Sequence, residues 1–208
     1  MRLPVPPLLV ISDRRQARRP LIELAEAAFG GGCRWFSLRE KDLPPLERGR
    51  LLCEITALGR RWGATVSVHD DVDAAVMADA GGAHLPGDGN PRAARGRLPQ
   101  ALIGASAHSA EQAAALFAAG ADYVTISPIF LTSSKPGYGP AIGLDGLARI
   151  AGQVKGPLIA LGGVSAENAG SSLSAGAHGI AVMGEVMRAA EPQAAVARIL
   201  QMLSQSKR

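Results

Sequence analysis

The feature that most constrains this chain is a regular alternation of two kinds of segment. Short runs rich in Val, Ile, Leu and Ala recur along its 208 residues. Longer Ala-, Leu-, Glu- and Arg-containing stretches with helical spacing separate them. The pattern predicts strands at Pro7–Asp13, Arg34–Glu40, Ala64–Asp70, Gly82–Pro86, Ala101–Ala107, Tyr123–Phe130, Pro157–Gly163 and Gly179–Gly184. It predicts helices at Pro20–Phe29, Pro44–Arg61, Val72–Asp79, Ser109–Ala119, Leu144–Ala151, Ala166–Ala175 and Pro192–Leu203, with a weaker one at Pro91–Arg97. Ser109 and Ser165 stand as helix-capping residues directly after strands. Strands that each lead into a helix predict a (β/α)8 TIM barrel, one domain over residues 1–208. The rival is a doubly wound open sheet. It usually carries GxGxxG after the first strand, where this chain reads Ser12-Asp13-Arg14-Arg15-Gln16-Ala17.

Composition removes several function classes. The net charge is +4, yet apart from Arg14–Arg19 the basic residues are scattered, and aromatics make up 4%. A nucleic-acid surface needs a basic stripe, often with stacking rings, so no nucleic-acid partner is expected. A small anionic ligand suits the charge. Two cysteines, Cys33 and Cys53, fit neither a disulfide framework nor a zinc site and read as free thiols. Four histidines (His69, His84, His108 and His178) show no HxH or HxxxH spacing, which argues against a catalytic zinc. No apolar run is long enough to cross a membrane. The Pro-flanked N-terminus does not read as a signal peptide, so a cytoplasmic location is expected.

In such barrels the active site lies at the C-terminal ends of the strands. The polar residues predicted there are Arg39 and Lys41 after the second strand, His69 and Asp70 after the third, and His84 after the fourth. Ser106 and His108 follow the fifth strand, and Thr132, Ser134 and Lys135 lie beyond the sixth. Arg39 and Lys41 alternate, so on an extended strand end both point to one side. With Lys135 they suit a highly charged anion such as pyrophosphate. Asp70, Asp71 and Asp88 offer hard oxygen ligands for Mg²⁺, though Asp71 also suits a helix cap. Gly162, Gly163 and Gly184 follow the last two strands, where backbone N–H groups of these barrels hold phosphate. The long segment Phe130–Gly143 reads as a lid over this rim.

Seven motifs run in order along almost the whole chain: Ser37–Lys41 (SLREK), His69–Ala75 (HDDVDAA), Gly82–Pro86 (GAHLP), Ile103–Ser109 (IGASAHS), Ala121–Lys135 (ADYVTISPIFLTSSK), Ile159–Val164 (IALGGV) and Gly179–Gly184 (GIAVMG). Together they resemble the thiamine phosphate synthase/TenI family. The resemblance implies an enzyme of thiamine biosynthesis. In the synthase reaction, hydroxymethylpyrimidine pyrophosphate loses Mg-bound pyrophosphate and the nitrogen of thiazole phosphate captures the pyrimidine methyl cation. By motif position, Arg39, Lys41, Ser106 and Lys135 would hold pyrophosphate, with Mg²⁺ on Asp70 and Asp88. Ser37 and His69 would lie toward the pyrimidine, His84 would be a further substrate-binding residue, and Thr132 and Ser134 would lie toward the lid. Gly162, Gly163 and Gly184 would hold the thiazole phosphate.

The chain departs from the synthase pattern at three places. Ser37 stands where the family has Gln, His69 where it has Asn, and Gly89 where an Asp is expected, with Asp88 one place early. The segments around His84-Leu85-Pro86 and Ser134–Gly143 resemble TenI-type members. That branch includes a thiazole tautomerase, which moves a double bond in thiazole carboxylate phosphate by proton transfer and needs no metal. There His108 becomes the acid/base. The synthase is the leading expectation because its anion-handling set is complete. The tautomerase is the alternative, and a non-catalytic thiazole-phosphate-binding regulator a third. The expected partners are small phosphorylated thiazole and pyrimidine pyrophosphate ligands, with a homodimer compatible with a barrel of this size.

Overall fold

The computed structural model describes residues 3–131 and 140–205. Its strands are β1 (Leu8–Ile11), β2 (Trp35–Leu38), β3 (Thr65–His69), β4 (Gly82–Leu85), β5 (Leu102–Ala107), β6 (Tyr123–Ile126), β7 (Leu158–Ala160) and β8 (Gly179–Val182). Every neighbouring pair is parallel, and β1 pairs with β8 through Leu8↔Ile180, Leu9↔Ala181 and Val10↔Val182, so the sheet closes. The expected (β/α)8 barrel is the observed architecture.

The helices are α1 (Leu21–Gly30), α2 (Pro45–Arg61), α3 (Val72–Met77), α4 (Pro91–Arg97), α5 (Ala110–Ala118), α6 (Gly143–Gln153), α7 (Ala169–Ser174), α8 (Gly184–Met187) and α9 (Pro192–Gln205). Proline opens α2 and α4, where its missing N–H costs nothing. Ser109 caps α5 as expected, accepting from the Gln112 N–H at 3.2 Å. Ser165 does not cap α7. Its hydroxyl donates to Glu167, and α7 begins only at Ala169, because Asn168 turns back to accept from the Ser165 N–H. The short α8 was not expected. It inserts one turn between β8 and α9.

Strand residues alternate between two cores. Outward-facing Leu8, Val10, Phe36, Val68, Ile103, Val124 and Ile180 join the large cluster that packs against the helices. Inward-facing Leu9, Ile11, Trp35, Leu102, Tyr123, Ile159 and Ala181 form a second cluster inside the barrel. Toward the strand C-termini the inward residues become polar: Ser37, Ser67, His69, His84, Ser106 and Thr125. The bottom of the barrel is therefore an apolar plug and the top a hydrogen-bonded floor. Cys33 and Cys53 are free, and burial pushes the Cys33 thiol up to about 11. Among the described residues no helix is long and apolar enough to cross a membrane.

Candidate active site

A cavity of about 500 Å³ opens at the C-terminal ends of the strands. Arg39, Lys41, His69, Asp70, Ser106 and His108 line one side, and Gly162, Gly163 and Gly184 the other. Residues from β2, β3, β5, β7 and β8 thus converge as the barrel topology requires. Thr132, Ser134 and Lys135, and with them the core of the expected lid, lie outside the described residues.

The wall after β2 is organised by a residue the functional reading passed over. Glu40 sits between Arg39 and Lys41 and points the other way, its side chain only 2% exposed. Its Oε1 accepts from Ser12 Oγ at 2.6 Å, and both carboxylate oxygens accept from the Arg14 N–H at 3.1 Å. Ser12 Oγ in turn accepts from the Arg39 N–H at 2.9 Å. This clamp ties the end of β2 to the end of β1 and turns Arg39 and Lys41 to the cavity. Burial raises the Glu40 pKa above the ordinary glutamate value, against the lowering effect of Ser12 and the Arg14 amide. The local signal was available: an acid between two alternating cations must face the opposite side.

Asp70 adopts a left-handed backbone (φ 58°), and its carboxylate forms an ion pair with Lys41. Asp71 instead caps α3, accepting from the Ala74 N–H at 2.8 Å, and pairs with Arg48. Asp88 is exposed and does not line the cavity. Asp88 therefore stands apart from Asp70, which lies in the cavity wall. The loop Pro86–Gly89 folds back on itself, with the Gly89 N–H donating to the Pro86 carbonyl at 3.0 Å, and of its residues Pro86 and Gly87 reach the rim. Among the described residues no group of three or more His, Cys, Asp or Glu is arranged to hold a metal. Asp70, on the cavity wall, suits Mg²⁺ that arrives with phosphate oxygens and water as its other ligands.

Two further expected contacts lie beneath the cavity rather than on its wall. Ser37 is fully buried and accepts from Ser67 Oγ at 2.9 Å. His84 is buried against the His69 ring, with centroids 4.5 Å apart. Its Nδ1 meets Tyr123 Oη at 3.0 Å and its Nε2 meets Ser106 Oγ at 3.0 Å. Burial, with Lys41 and Arg39 nearby, lowers its pKa to about 3, so the ring is neutral at physiological pH. His108, by contrast, stands at the rim. Its Nδ1–H donates to the Ser127 carbonyl at 2.6 Å, which turns Nε2 of the neutral ring into an acceptor.

The opposite wall is made of backbone. Gly162 and Gly163 have φ of 91° and 64°. A Cβ on Gly162 would come within 2.8 Å of the Pro128 Cα, and one on Gly163 within 2.5 Å of the Leu131 carbonyl. Both positions therefore need glycine for the turn and for the close approach of the β6–α6 segment. Gly184 opens α8 under the guanidinium of Arg188, which a Cβ would strike. Arg188 lines the cavity and hydrogen-bonds Gln16. It was not among the expected site residues. Its place one turn after Gly184 depends on α8, which the sequence pattern does not reveal.

Residues 8–186 match the thiamine monophosphate synthase family. A thiamine-phosphate synthase of Roseiflexus sp. (strain RS-1) is 40% identical over 89% of this chain and 80% of that protein. One from Moorella thermoacetica is 35% identical over 96% of both chains. The solved thiamine phosphate pyrophosphorylase of Pyrococcus furiosus superposes with a TM-score of 0.86 at 34% identity, covering 96% of each chain. With this match over nearly the whole barrel and a two-walled cavity at its C-terminal face, the chain belongs to the thiamine monophosphate synthase family.

Proposed function

We propose that this chain is a thiamine-phosphate synthase, a transferase that joins hydroxymethylpyrimidine pyrophosphate to thiazole phosphate and releases pyrophosphate. One observation carries the reading: a single cavity has a wall of cationic and hydroxyl side chains facing a wall of glycine backbone. Such a cavity would seat two anionic groups separately. Arg39, Lys41 and Ser106 would hold pyrophosphate, and Gly162, Gly163 and Gly184, with Arg188, the thiazole phosphate. Lys135, Thr132 and Ser134 complete the proposal as further anion contacts. His69 would lie against the pyrimidine, with Ser37 and His84 supporting the floor below.

In this reading the bond from the pyrimidine methylene carbon to the pyrophosphate oxygen breaks, and its electron pair leaves with pyrophosphate. The thiazole nitrogen lone pair then forms the new C–N bond. No proton needs to move. The residues' work is to stabilise charge on the departing group and to keep the two reactants aligned. Asp70 would hold Mg²⁺, which, when bound, neutralises charge on the leaving pyrophosphate. The Lys41–Asp70 pair keeps the lysine beside that carboxylate.

A paired assay tests the reading. Magnesium-dependent formation of thiamine phosphate and pyrophosphate, lost in Arg39→Ala, is the expected outcome. Conversion of the thiazole carboxylate phosphate tautomer instead, lost in His108→Ala, would replace it with the tautomerase. Binding of thiazole phosphate without turnover in either arm would leave the regulator. We also infer a cytoplasmic enzyme. A homodimer is compatible with this reading, and light scattering tests it.

A further inference from the structure

The polar floor of the barrel contains a chain of hydrogen bonds whose direction can be worked out. His84, Gly104 and Tyr123 occupy one register row on the adjacent strands β4, β5 and β6. Any side chain at 104 would fall inside the Tyr123 ring. Glycine in the middle of the row lets the phenol pass across β5 and reach His84. The Tyr123 ring is fully buried and packs edge-on against Trp35, with centroids 4.7 Å apart. Among the described residues, His84 Nδ1 is the hydrogen-bond partner of the Tyr123 hydroxyl.

That hydroxyl therefore donates to Nδ1, since a buried O–H left without an acceptor is costly. A neutral imidazole that accepts at Nδ1 carries its proton on Nε2. Nε2–H then donates to Ser106 Oγ at 3.0 Å, with Thr125 Oγ1 farther off at 3.5 Å. Ser106 accepts from below, so its own proton is directed elsewhere, and the residue lines the cavity. We propose that Tyr123 is a positioning residue which, through the tautomer of His84, fixes Ser106 as a hydrogen-bond donor toward an anionic ligand. With the opposite tautomer, Ser106 would spend its proton on His84 and present lone pairs to the anion. The claim about the ligand rests on the pyrophosphate reading above. The claim about the relay does not.

The experiment has two arms on the full chain. In the first, ¹⁵N-resolved spectra of the imidazoles are recorded without ligand. The expected result is a pyrrole-type Nε2 and a pyridine-type Nδ1 for His84, with Nδ1–H gaining population in Tyr123→Phe. This substitution keeps the ring that packs on Trp35, and a cooperative thermal transition, lowered only by the unpaired His84 Nδ1, checks the fold. An Nδ1–H ring in the wild type, or a tautomer indifferent to Tyr123→Phe, overturns the relay. In the second arm, binding of inorganic pyrophosphate with Mg²⁺ is measured by calorimetry. Tyr123→Phe is expected to weaken it about fivefold to tenfold, an effect that vanishes when Ser106 is already Ala. An equal loss in the Ser106→Ala background overturns the coupling to Ser106. Absence of pyrophosphate binding in the wild type overturns the pyrophosphate reading, and the spectra still decide the relay.

Discussion

The two walls of the cavity are built on different principles. The β2–β5 wall uses long or ionisable side chains, and each is oriented from below: Arg39 by the Glu40–Ser12 clamp, Ser106 by His84. The β7–β8 wall uses glycines, Gly162 and Gly163 packed tightly against residues 128–131 and Gly184 under Arg188. A side-chain wall fails when a charge or its support is removed. A backbone wall fails when an atom is added. The first also carries titrating groups beneath it, whereas the glycine wall has none in its backbone.

The largest expected effect breaks the first wall alone. Arg39→Ala should lower kcat/KM for coupling by roughly 10²–10³, as removal of a group that stabilises developing charge does, while thiazole phosphate affinity stays nearly constant. Steady-state kinetics with each substrate varied checks this. Equal damage to both affinities would mean that the walls are not separate seats.

Next comes the opposite break. Gly163→Ala places a Cβ in a left-handed conformation against the Leu131 carbonyl and should cost about 3 kcal/mol of stability, read by denaturant titration. Pyrophosphate affinity should change far less than thiazole phosphate affinity. A stable Gly163→Ala with unaltered phosphate binding would remove the argument for a backbone seat.

Arg188→Ala sharpens the comparison by testing the one guanidinium named at the glycine wall. It should weaken thiazole phosphate binding about tenfold, less so at high salt, because a surface-accessible cation is screened. Calorimetry at two ionic strengths reads it.

The smallest effect separates the walls by pH. His84 stays neutral in the folded chain down to about 3, while the unfolded chain takes up the proton near 6.5. The unfolded state therefore binds more protons, and stability falls as pH drops from about 6.5, by about 1 kcal/mol per pH unit. Glu40 acts in the opposite sense. Its raised pKa means that stability is lost as pH rises above the ordinary glutamate range. Melting temperatures across pH 4–7 should lose the first slope in His84→Gln and the second in Glu40→Gln. Unchanged slopes in both variants would mean that these buried groups do not set the pH response.

The alternation of apolar and helical segments determined the barrel from sequence alone, because the period of hydrophobicity dictates which face of each element is buried. It also determined the rim. Arg39, Lys41, Asp70, Ser106, His108, Gly162, Gly163 and Gly184 all stand at strand ends, and all line the cavity. What the sequence could not express was which strand-end residues lie above the floor and which below it. Ser37 and His84 stand at strand ends like the rim residues, yet their side chains sit inside the barrel, where Ser67, Tyr123 and Ser106 occupy their polar atoms. That Asp88 stands outside the cavity wall is a matter of loop geometry. Arg188 needed a helix of four residues, too short for any periodicity, to be included. Glu40 and Tyr123 owe their roles to partners 28 and 39 residues away. Local pattern governs burial, and so decides the fold. Hydrogen-bond partnership across strands is a long-range property, and only the closed barrel decides it.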